Sequence, residues 1–479
     1  MKISTTAWHA GVAIALVSGL FVLAVRGMPS GPFDYDEADY VYAATQGWFA
    51  NWIDRPALNL VEFVRLGLRL GNDIHHRSEL SEIIRNSGDV NFYRHWHGPL
   101  FYYWLGLIGT WTLDERQLRL FSLLIPAAGA VLVYLGCLWV MPSSHIIAIL
   151  AATLYATGYS VVGSPELASH QLFAVVSLAN LFCLAKLEAS RERIWWWWSC
   201  VWAAVSFATL EVAFVNIAIL LVFAWRCRSI LFPCKQFLLR SLGLFLAVGV
   251  ALWPAGIFKL DFLQSYIATA YLALSRKGAW GDTTLLQTWQ LRFHSEPAEW
   301  LLIVVALMIW WFLPRRTEKY AAIPFLCYGG LMFAVMLEVN AATPHYLLTF
   351  LPPLMVFAGI TLGTALQSLP QPVQRAMAGT MILVVAAGTW HFVDTHLPPS
   401  SSRVDQILFT LRSRPLDGKT LLAPQDDVSV LHYYFPRVNL ASYLDEGGKL
   451  RAISQGRVDA ILSAENEPFE IEYLSNRKP

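Results

Sequence analysis

The sequence predicts a polytopic α-helical membrane protein with about eleven spans and a small C-terminal α/β domain. Three observations support this fold class. Of the 479 residues, 56% are hydrophobic and only 14% are charged, whereas an average soluble domain is about 25% charged. Apolar runs long enough to cross a bilayer recur along the chain. Finally, residues 394–479 are polar and charged, so we expect them outside the bilayer.

The same composition excludes several classes of protein. Disordered chains have low hydrophobicity, so this chain is not one of them. The formal net charge is +1, so no global basic field indicates nucleic acid, and no nucleic-acid partner is expected. The six cysteines lie outside the polar stretches 31–97 and 394–479. We therefore predict neither a disulfide framework nor a zinc site.

The apolar runs define the predicted spans. The first covers residues 7–25 and is predicted to stay uncleaved, because no small-x-small cleavage site precedes Arg26. The run 195–225 exceeds the roughly 20 residues of one crossing and contains Glu211, which predicts two short helices that turn there. The other runs are 119–140, 145–162, 169–187, 240–258, 298–313, 321–338, 345–365 and 376–393.

The apolar segment 97–112 decides the topology, because at about 15 residues it is short for a span. If it is a juxtamembrane helix, the densest short basic loops face the cytoplasm, as the positive-inside rule requires. Those loops contain Lys186, Arg191, Arg193, Arg226, Arg228, Lys235, Arg240, Arg315, Arg316, Lys319 and Arg375. We therefore expect a cytoplasmic N-terminus and an outer C-terminus.

The outer side would then hold the long first loop, a short turn, two further loops and the polar C-terminal stretch. These are residues 28–118, 163–170, 259–297, 338–345 and 394–479. Within the last stretch, predicted strands alternate with predicted helices, which is typical of a small α/β domain. The strands are 420–423, 439–443 and 458–462, and the helices are 404–412, 428–434 and 449–454. Two domains are therefore predicted, a transmembrane catalytic module at 1–393 and a small domain at 394–479.

An acidic motif directly follows the first predicted span. It places four carboxylates within six residues, Asp34, Asp36, Glu37 and Asp39. At a membrane surface such a cluster is unfavourable because of charge repulsion and desolvation, so its presence suggests that the carboxylates have a function. One carboxylate can take a proton from an attacking hydroxyl, and a pair can hold a divalent cation beside a phosphate leaving group. A solvated flank, or the acidic first turn of a helix, explains the pattern equally well.

A second motif covers residues 95–104 and joins histidines to a proline and a run of aromatic residues. Pro99 suits the first turn of a helix. His97, at the start of that helix, is placed to contact a phosphate oxygen together with free backbone N–H groups. The alternative is that the aromatic residues only anchor the segment at the membrane interface.

The two motifs, in this order, resemble the polyprenyl-phosphate-sugar glycosyltransferases of the GT-C class. More narrowly, they resemble the branch of bacterial protein O-mannosyltransferase-like enzymes and lipid A aminoarabinose transferases. Asp36, Glu37 and Tyr40 match the Asp-Glu and the following Tyr of that branch. The second motif matches at His97, Pro99, Leu100, Tyr102, Tyr103 and Trp104, with Gly98 in place of a proline.

The resemblance covers residues 10–365 and includes two further positions, which lie after the two motifs in the chain. Glu166 corresponds to the acidic residue of the third outer turn. His345-Tyr346 stands where the family often has Arg-Tyr before a proline-containing helix. A neutral histidine supplies one donor and no fixed charge, so this phosphate contact differs from that of the family.

The resemblance implies a membrane glycosyltransferase of the bacterial cytoplasmic membrane. It would move a monosaccharide from a polyprenyl phosphate donor to a lipid, glycan or protein acceptor on the outer face, with inversion. Asp36 would be the base, and Glu37 would act with it. The substrate would contact Tyr40, His97, Glu166, His345 and Tyr346. Apart from the resemblance, Arg276, Lys277 and Arg292 are candidate cations for the phosphate of the substrate, and an exposed loop pair is the alternative for Arg276 and Lys277. A divalent cation (Mg or Mn) on Asp36, Glu37 and Glu166 is the one cofactor expected.

An independent argument supports a donor that is delivered across the membrane. Sugar nucleotides are cytoplasmic, and no Gly-rich phosphate loop stands between a strand and a helix of this sequence.

Other functions also fit the composition. A transporter or flippase of a lipid-linked substrate would need polar residues at mid-membrane depth and often internal repeats. A non-catalytic membrane subunit would bind a partner through its terminal domain, and an oligosaccharide transferase is the nearest enzymatic alternative.

Overall fold

The structure is a computed structural model of the chain. It describes residues 5–45, 61, 65, 97–109, 113–142, 144–163, 166–231, 235–254, 266, 286–287, 290, 297–314, 317–337, 344–395, 403–424, 427–443, 446–456, 458–463 and 470–473. The described chain is mainly helical, and its strands are confined to the C-terminal stretch.

The described elements follow one another in this order. They are α1 (Thr5–Arg26), α2 (Tyr35–Thr45), α3 (Leu100–Ile108), α4 (Glu115–Ser122), α5 (Leu124–Val140), α6 (His145–Thr157), α7 (Tyr159–Val162), α8 (Ser169–Ser190), α9 (Ile194–Phe207), α10 (Phe214–Arg226), α11 (Arg228–Leu231), α12 (Lys235–Leu252), α13 (Pro297–Phe312), α14 (Thr317–Met336), α15 (Leu351–Leu366), α16 (Gln371–Thr395), α17 (Arg403–Arg412), β1 (Thr420–Pro424), α18 (Val428–Tyr434), β2 (Asn439–Tyr443), α19 (Glu446–Ser454), β3 (Ala460–Ser463) and β4 (Glu470–Tyr473). Two 3-10 turns, Glu211–Ala213 and Pro344–Thr349, complete the described elements.

Five helical segments among the described residues are long and apolar enough to cross a membrane. They are Thr6–Arg26, Glu115–Val140, Ser169–Ser190, Thr317–Met336 and Gln371–Asp394. Four shorter apolar helices accompany them, at His145–Thr157, Gln236–Leu252, Pro297–Phe312 and Leu351–Leu366. These helices confirm the predicted multi-pass helical architecture in its coarse form, whereas the count of eleven spans stays a prediction.

The chain forms two compact units. The first comprises Met1–Met28, Arg119–Pro254 and Trp280–Leu397, and the second comprises Pro29–Leu118, Ala255–Ala279 and Pro398–Pro479. In the first unit, α8 packs against α5, α9 and α14, and α15 packs against α6, α13 and α14. Small residues allow the close crossing of α6 and α15: a Cβ on Gly359 would clash with the backbone of Ala151.

The apolar run near residues 195–225 folds as predicted. Helix α9 ends at Phe207, a 3-10 turn covers Glu211–Ala213, and α10 begins at Phe214. The prediction of two short helices that meet near Glu211 is therefore confirmed. A single helix through this run would be longer than a bilayer requires, and the turn lets the chain reverse instead.

A buried set of polar side chains, which we call the α8 polar network, joins three helices of the first unit. The Asn180 side-chain amide donates to Asn216 Oδ1 at 2.9 Å, and the Asn216 amide donates to Ser177 Oγ at 2.9 Å. The Tyr328 hydroxyl also lies 3.2 Å from Ser177 Oγ. All four residues are buried, so α8, α10 and α14 are held together by interhelical hydrogen bonds.

The first and last long helices of this unit meet near their C-terminal ends. Arg26 Nε donates to Asp394 Oδ1 at 2.6 Å, and the guanidinium lies 4.0 Å from the centroid of the Trp390 ring. Gly27 adds close packing, because a Cβ there would lie 3.1 Å from Val393 Cγ1. The contact is partly exposed, so its electrostatic part adds little to stability.

In the second unit, the C-terminal stretch forms a four-stranded sheet with the order β2-β1-β3-β4. The strands β2, β1 and β3 are parallel, and β4 runs antiparallel to β3. Successive residues of β1 point to opposite faces of the sheet: Leu421 packs with Leu431 and Ile407, and Leu422 packs with Ile461 on the other face.

An ion pair connects two helical ends beside this sheet. Asp427, immediately before α18, is fully buried, and its Oδ2 accepts a hydrogen bond from Arg403 at 3.0 Å. Because a buried carboxylate is costly without a partner, the contact holds the start of α17 against the start of α18.

Candidate functional site

The acidic motif forms the first turn of α2. Asp34 precedes the helix, and its Oδ1 accepts the Glu37 N–H at 2.9 Å, while Glu37 Oε2 accepts the Asp34 N–H at 3.3 Å. This reciprocal arrangement is a capping box, which satisfies backbone donors that a helix start leaves without partners. One of the two residues predicted to be catalytic, Glu37, is thus engaged in holding the helix start.

The four carboxylates of the motif differ in their exposure. Glu37 is 1% exposed and Asp39 is 8% exposed, whereas Asp34 and Asp36 are exposed. Asp34 is used as the helix cap. Within the described part of the chain, the Asp36 carboxylate has no hydrogen-bond or ion-pair partner. Asp36 is therefore the carboxylate of this turn that is available to accept a proton from a substrate.

The two predicted motifs meet on one side of α2. The Tyr40 ring lies 5.5 Å from the ring of His97, measured between centroids, and 5.2 and 5.9 Å from those of Phe101 and Tyr102. Residues four apart share a helix face, so Asp36 lies on the face of α2 that carries Tyr40. The structure thereby brings the acidic motif and the histidine motif together within the second unit.

Helix α3 is built as the second motif predicts, with one difference. Pro99 lies just before the helix, which runs from Leu100 to Ile108, so the proline is the capping residue instead of a member of the first turn. Gly106 lies near the α2 backbone, where a Cβ would be 3.7 Å from the Ala44 carbonyl oxygen. The helix is much shorter than a membrane span, in keeping with the juxtamembrane helix predicted for this segment.

A second group of predicted residues lies in the first unit. His345, on the 3-10 turn Pro344–Thr349, has its Nδ1 3.9 Å from Glu166 Oε2. The ring of His170 lies 4.7 Å from that of His345 and 5.1 Å from that of Tyr346. His345 is largely buried, and the Glu166 side chain is 27% exposed. The group combines two imidazoles, a phenol and one carboxylate, all of which can form hydrogen bonds with a polar group.

Hydrogen bonds fix the turn that carries Glu166. The side-chain amide of Gln171 donates to the Glu166 carbonyl at 2.9 Å, and Ser122 Oγ donates to Gln171 Oε1 at 2.8 Å. Both Gln171 and Ser122 are buried. The position of Glu166 is therefore set from the start of α8 and the end of α4.

The buried side chain of Glu299 binds the backbone at the break between α6 and α7. Glu299, in the first turn of α13, is 2% exposed, and its Oε1 accepts the Tyr159 N–H at 2.5 Å. Gly158 leaves room for this approach, since a Cβ there would lie 2.9 Å from Glu299 Oε1. Helix α7 packs against the 3-10 turn that carries His345. Glu299 thus binds the start of α7, and α7 in turn contacts the turn that carries His345.

Comparison with known proteins adds the fold class. No protein-family model matches the sequence, and no curated protein matches it. Two crystal structures of ArnT from Cupriavidus metallidurans are similar, each with 15% sequence identity and a TM-score of 0.53. The apo structure aligns over 83% of this chain and 88% of that chain, and the structure bound to undecaprenyl phosphate over 95% and 90%. The chain has the GT-C fold of ArnT.

Within this GT-C fold, the predicted site residues fall into two groups, one in each unit. Asp36, Glu37, Tyr40 and His97 belong to the second unit, and Glu166, His345 and Tyr346 belong to the first. Three further predicted contacts lie outside the described residues: they are Arg276, Lys277 and Arg292.

The predicted cation site receives no support from the described residues. Among them, no three His, Cys, Asp or Glu side chains are placed to hold a metal ion. Glu37 Oε2 already accepts a backbone N–H.

Sequence reasoning missed His170 and Glu299. Each is an ionisable residue in the first turn of an apolar helix. This position could have indicated a role from the sequence, because ionisable residues in membrane helices are usually functional. The partners of these residues, the His345 ring and the Tyr159 N–H, lie far away along the chain. Only the GT-C packing brings them together.

Proposed function

We propose that the chain is a membrane glycosyltransferase with Asp36 as its general base. It moves a monosaccharide from a polyprenyl phosphate donor to a lipid, glycan or protein acceptor, with inversion at the anomeric carbon. The observation that carries the proposal is the exposed Asp36 carboxylate on a capped first turn, beside the His97–Tyr40 contact, in a chain with the GT-C fold. The ArnT structure bound to undecaprenyl phosphate supports the choice of donor class.

The proposed chemistry needs a base more than an acid. The donor already carries a phosphate at its anomeric carbon, which is a good leaving group. Asp36 takes the proton of the acceptor hydroxyl or amine while that atom attacks the anomeric carbon, and the bond from carbon to phosphate oxygen breaks. The leaving lipid phosphate keeps the electron pair of that bond. His97, at the start of α3, is the group of the second unit assigned to stabilise it.

The residues of the first unit receive a separate assignment. We propose that His345, Tyr346 and Glu166 bind a phosphate or sugar group. Arg292 of the first unit, and Arg276 and Lys277 of the second, are proposed as further cationic contacts to the substrate. Protonated His345 would contribute a charge where the related family often has arginine. This assignment is tested by undecaprenyl phosphate binding to purified His345→Ala protein, which should be weaker than binding to wild type. Equal affinity would remove His345 from the set.

The proposal includes a location and a topology. We place the chain in a bacterial cytoplasmic membrane with about eleven crossings, a cytoplasmic N-terminus and an outer α/β domain at 394–479. Reporter fusions after residues 36 and 470 should then report the same, outer side. Opposite sides for these two positions would overturn the topology and the base assignment together.

A divalent cation on Asp36, Glu37 and Glu166 stays a prediction from the sequence, with its own test. Under that prediction, EDTA stops transfer, and added Mg²⁺ or Mn²⁺ restores it. An unchanged rate in EDTA would leave Asp36 to act without a metal.

The deciding experiment compares two neighbouring substitutions. Glycolipids and glycoproteins are analysed by mass spectrometry from cells that lack the gene and from cells complemented with wild type, Asp36→Asn or Asp34→Asn. Asp36→Asn should reduce the added sugar about 10²–10⁴-fold, the usual contribution of a general base. Asp34→Asn makes the same chemical change two residues away and keeps a capping oxygen, so it should retain transfer.

Either of two results would contradict the proposal. Transfer by Asp36→Asn at the wild-type rate would show that the base is elsewhere. Movement of labelled lipid across the membrane without any glycosylated product would favour a transporter or flippase instead. Protein levels in the membrane fraction, measured for each variant, separate loss of chemistry from loss of the folded chain.

A further inference from the structure

The short helix α18 of the C-terminal stretch packs against α2 within the second unit. Its contacts reach both ends of α2. The ring of Tyr433 meets that of Phe33, just before the helix, edge-to-face at 5.3 Å, and the ring of His432 stacks on that of Tyr42 at 4.8 Å. Aromatic pairs of this kind add about 0.5–1.5 kcal/mol beyond the area that they bury. The terminal stretch therefore holds the helix that carries the proposed base.

One side chain of α18 joins the start of α2 to the start of α4. The Tyr434 hydroxyl accepts the Phe33 N–H at 2.8 Å and donates to Glu115 Oε1 at 2.9 Å. Burial raises the pKa of Tyr434 above its ordinary value of 10.0. The hydroxyl therefore stays protonated at neutral pH and both accepts and donates at the same time.

The bonded N–H belongs to the residue directly before the capping box. Phe33 is fully buried, so its N–H needs a partner inside the protein. Asp34 and Glu37 then close the first turn, on which Asp36 stands exposed. The Tyr434 hydroxyl thus binds the backbone directly before the capped turn that carries Asp36.

We propose that Tyr434 is a positioning residue for Asp36, and that the C-terminal stretch, through α18, is a functional part of the transferase. The inference rests on the proposed function. Displacement of a reacting group by about 1 Å can cost 10²-fold in rate, so loss of the Tyr434 contact should lower turnover strongly. Binding of the donor lipid should change little, because Tyr434 acts on the base and not on the phosphate.

The first measurement is independent of catalysis. Hydrogen–deuterium exchange is followed in the full purified chain, in peptides that cover residues 33–38. Tyr434→Phe removes the acceptor of the Phe33 N–H, so exchange in these peptides should rise about tenfold, the effect of 1.4 kcal/mol. Tyr443→Phe is the matched control, because the Tyr443 hydroxyl lies 3.4 Å from the Leu462 carbonyl oxygen within the sheet. It should leave residues 33–38 unchanged.

The second measurement follows transfer and binding in the same variants. Tyr434→Phe should lower the glycosylated product per unit of membrane protein about 10–100-fold, with an unchanged affinity for undecaprenyl phosphate. Substitution of Glu115 tests the same interaction, because Glu115 accepts the hydrogen bond from the Tyr434 hydroxyl. Glu115→Gln keeps an acceptor oxygen and should restore most of the activity that Glu115→Ala loses.

The outcomes are distinct. Unchanged exchange at residues 33–38 in Tyr434→Phe overturns the inference, as does an equal loss of product in Tyr434→Phe and Tyr443→Phe. Equal activities of Glu115→Gln and Glu115→Ala also count against it. If Asp36→Asn retains transfer, the proposed base assignment fails by itself, and the exchange data alone decide whether Tyr434 holds the start of α2.

Discussion

Glu299→Ala removes the acceptor of a buried backbone N–H and should destabilise the first unit. In the wild-type chain, Glu299 Oε1 accepts the Tyr159 N–H at 2.5 Å, and the carboxylate is 2% exposed. After truncation to alanine, that N–H loses this acceptor. An unsatisfied buried donor costs about 1–3 kcal/mol, and the space left by the side chain adds to this cost.

Glu299→Gln keeps the hydrogen bond without shortening the side chain. Glutamine keeps a carbonyl oxygen where Glu299 Oε1 lies, so the Tyr159 N–H retains its partner. The second carboxylate oxygen, Oε2, has no hydrogen-bond partner among the described residues. Replacing that oxygen by an amide nitrogen of similar size breaks no hydrogen bond between described residues, and we expect stability within about 1 kcal/mol of wild type. Glu318→Ala, at a half-buried first-turn glutamate of α14, is the control and should also cost less than about 1 kcal/mol.

Thermal unfolding of the detergent-solubilised full chain provides the assay, with the variants compared side by side. The expected order of midpoints places wild type, Glu299→Gln and Glu318→Ala together, and Glu299→Ala clearly lower. Because α7 packs on the turn that carries His345, Glu299→Ala should also weaken undecaprenyl phosphate binding. Equal midpoints for Glu299→Ala and Glu299→Gln would refute the reasoning, since they would mean that the bond to Tyr159 does not contribute.

Three further predictions concern packing and polar contacts. Gly359→Ala should destabilise the chain by about 1–3 kcal/mol, because its Cβ would clash with the facing backbone of α6; Gly379→Ala on α16, with no atom within 4 Å of its Cβ, should leave the unfolding midpoint unchanged. Asn216→Leu breaks the α8 polar network and should cost about 0.6–2 kcal/mol in thermal unfolding, and an unchanged midpoint would show that the network adds nothing. Arg403→Ala removes one partner of the buried Asp427 carboxylate, and because the Arg403 side chain is itself 41% exposed, the loss should be about 1–3 kcal/mol, whereas Arg403→Ala with Asp427→Asn should recover part of the loss. Equal stability of that single and double variant would contradict the last prediction.

Much of the helical pattern could be predicted from the sequence, because a membrane span leaves a long apolar run. The turn near Glu211 was predictable since one helix cannot use so long a run. The alternation of short elements likewise indicated the strands Thr420–Pro424 and Asn439–Tyr443. The ends of helices were harder to predict. At Pro99, for example, sequence propensity alone does not distinguish a capping residue from the first residue of the helix.

The site was predictable only where its residues are close in sequence. The Asp-x-x-Glu spacing of Asp34 and Glu37 is that of a capping box, and it left the structural and catalytic interpretations open. In the structure Glu37 is buried and takes part in the capping box, whereas Asp36 is exposed. Contacts such as Tyr434 with Phe33 join distant parts of the chain and have no local signature, so only the folded chain reveals them.

The contact between Arg26 and Asp394 also has a consequence for biogenesis. These residues are separated by 368 positions, so α1 enters the membrane long before its partner helix has been synthesised. During that interval the nascent α1 can pack against α5, α6 and α7, which precede α16 in the chain. Release of a truncated product from the ribosome before residue 371 would leave α1 without its last neighbour, a state that membrane quality-control proteases are suited to recognise.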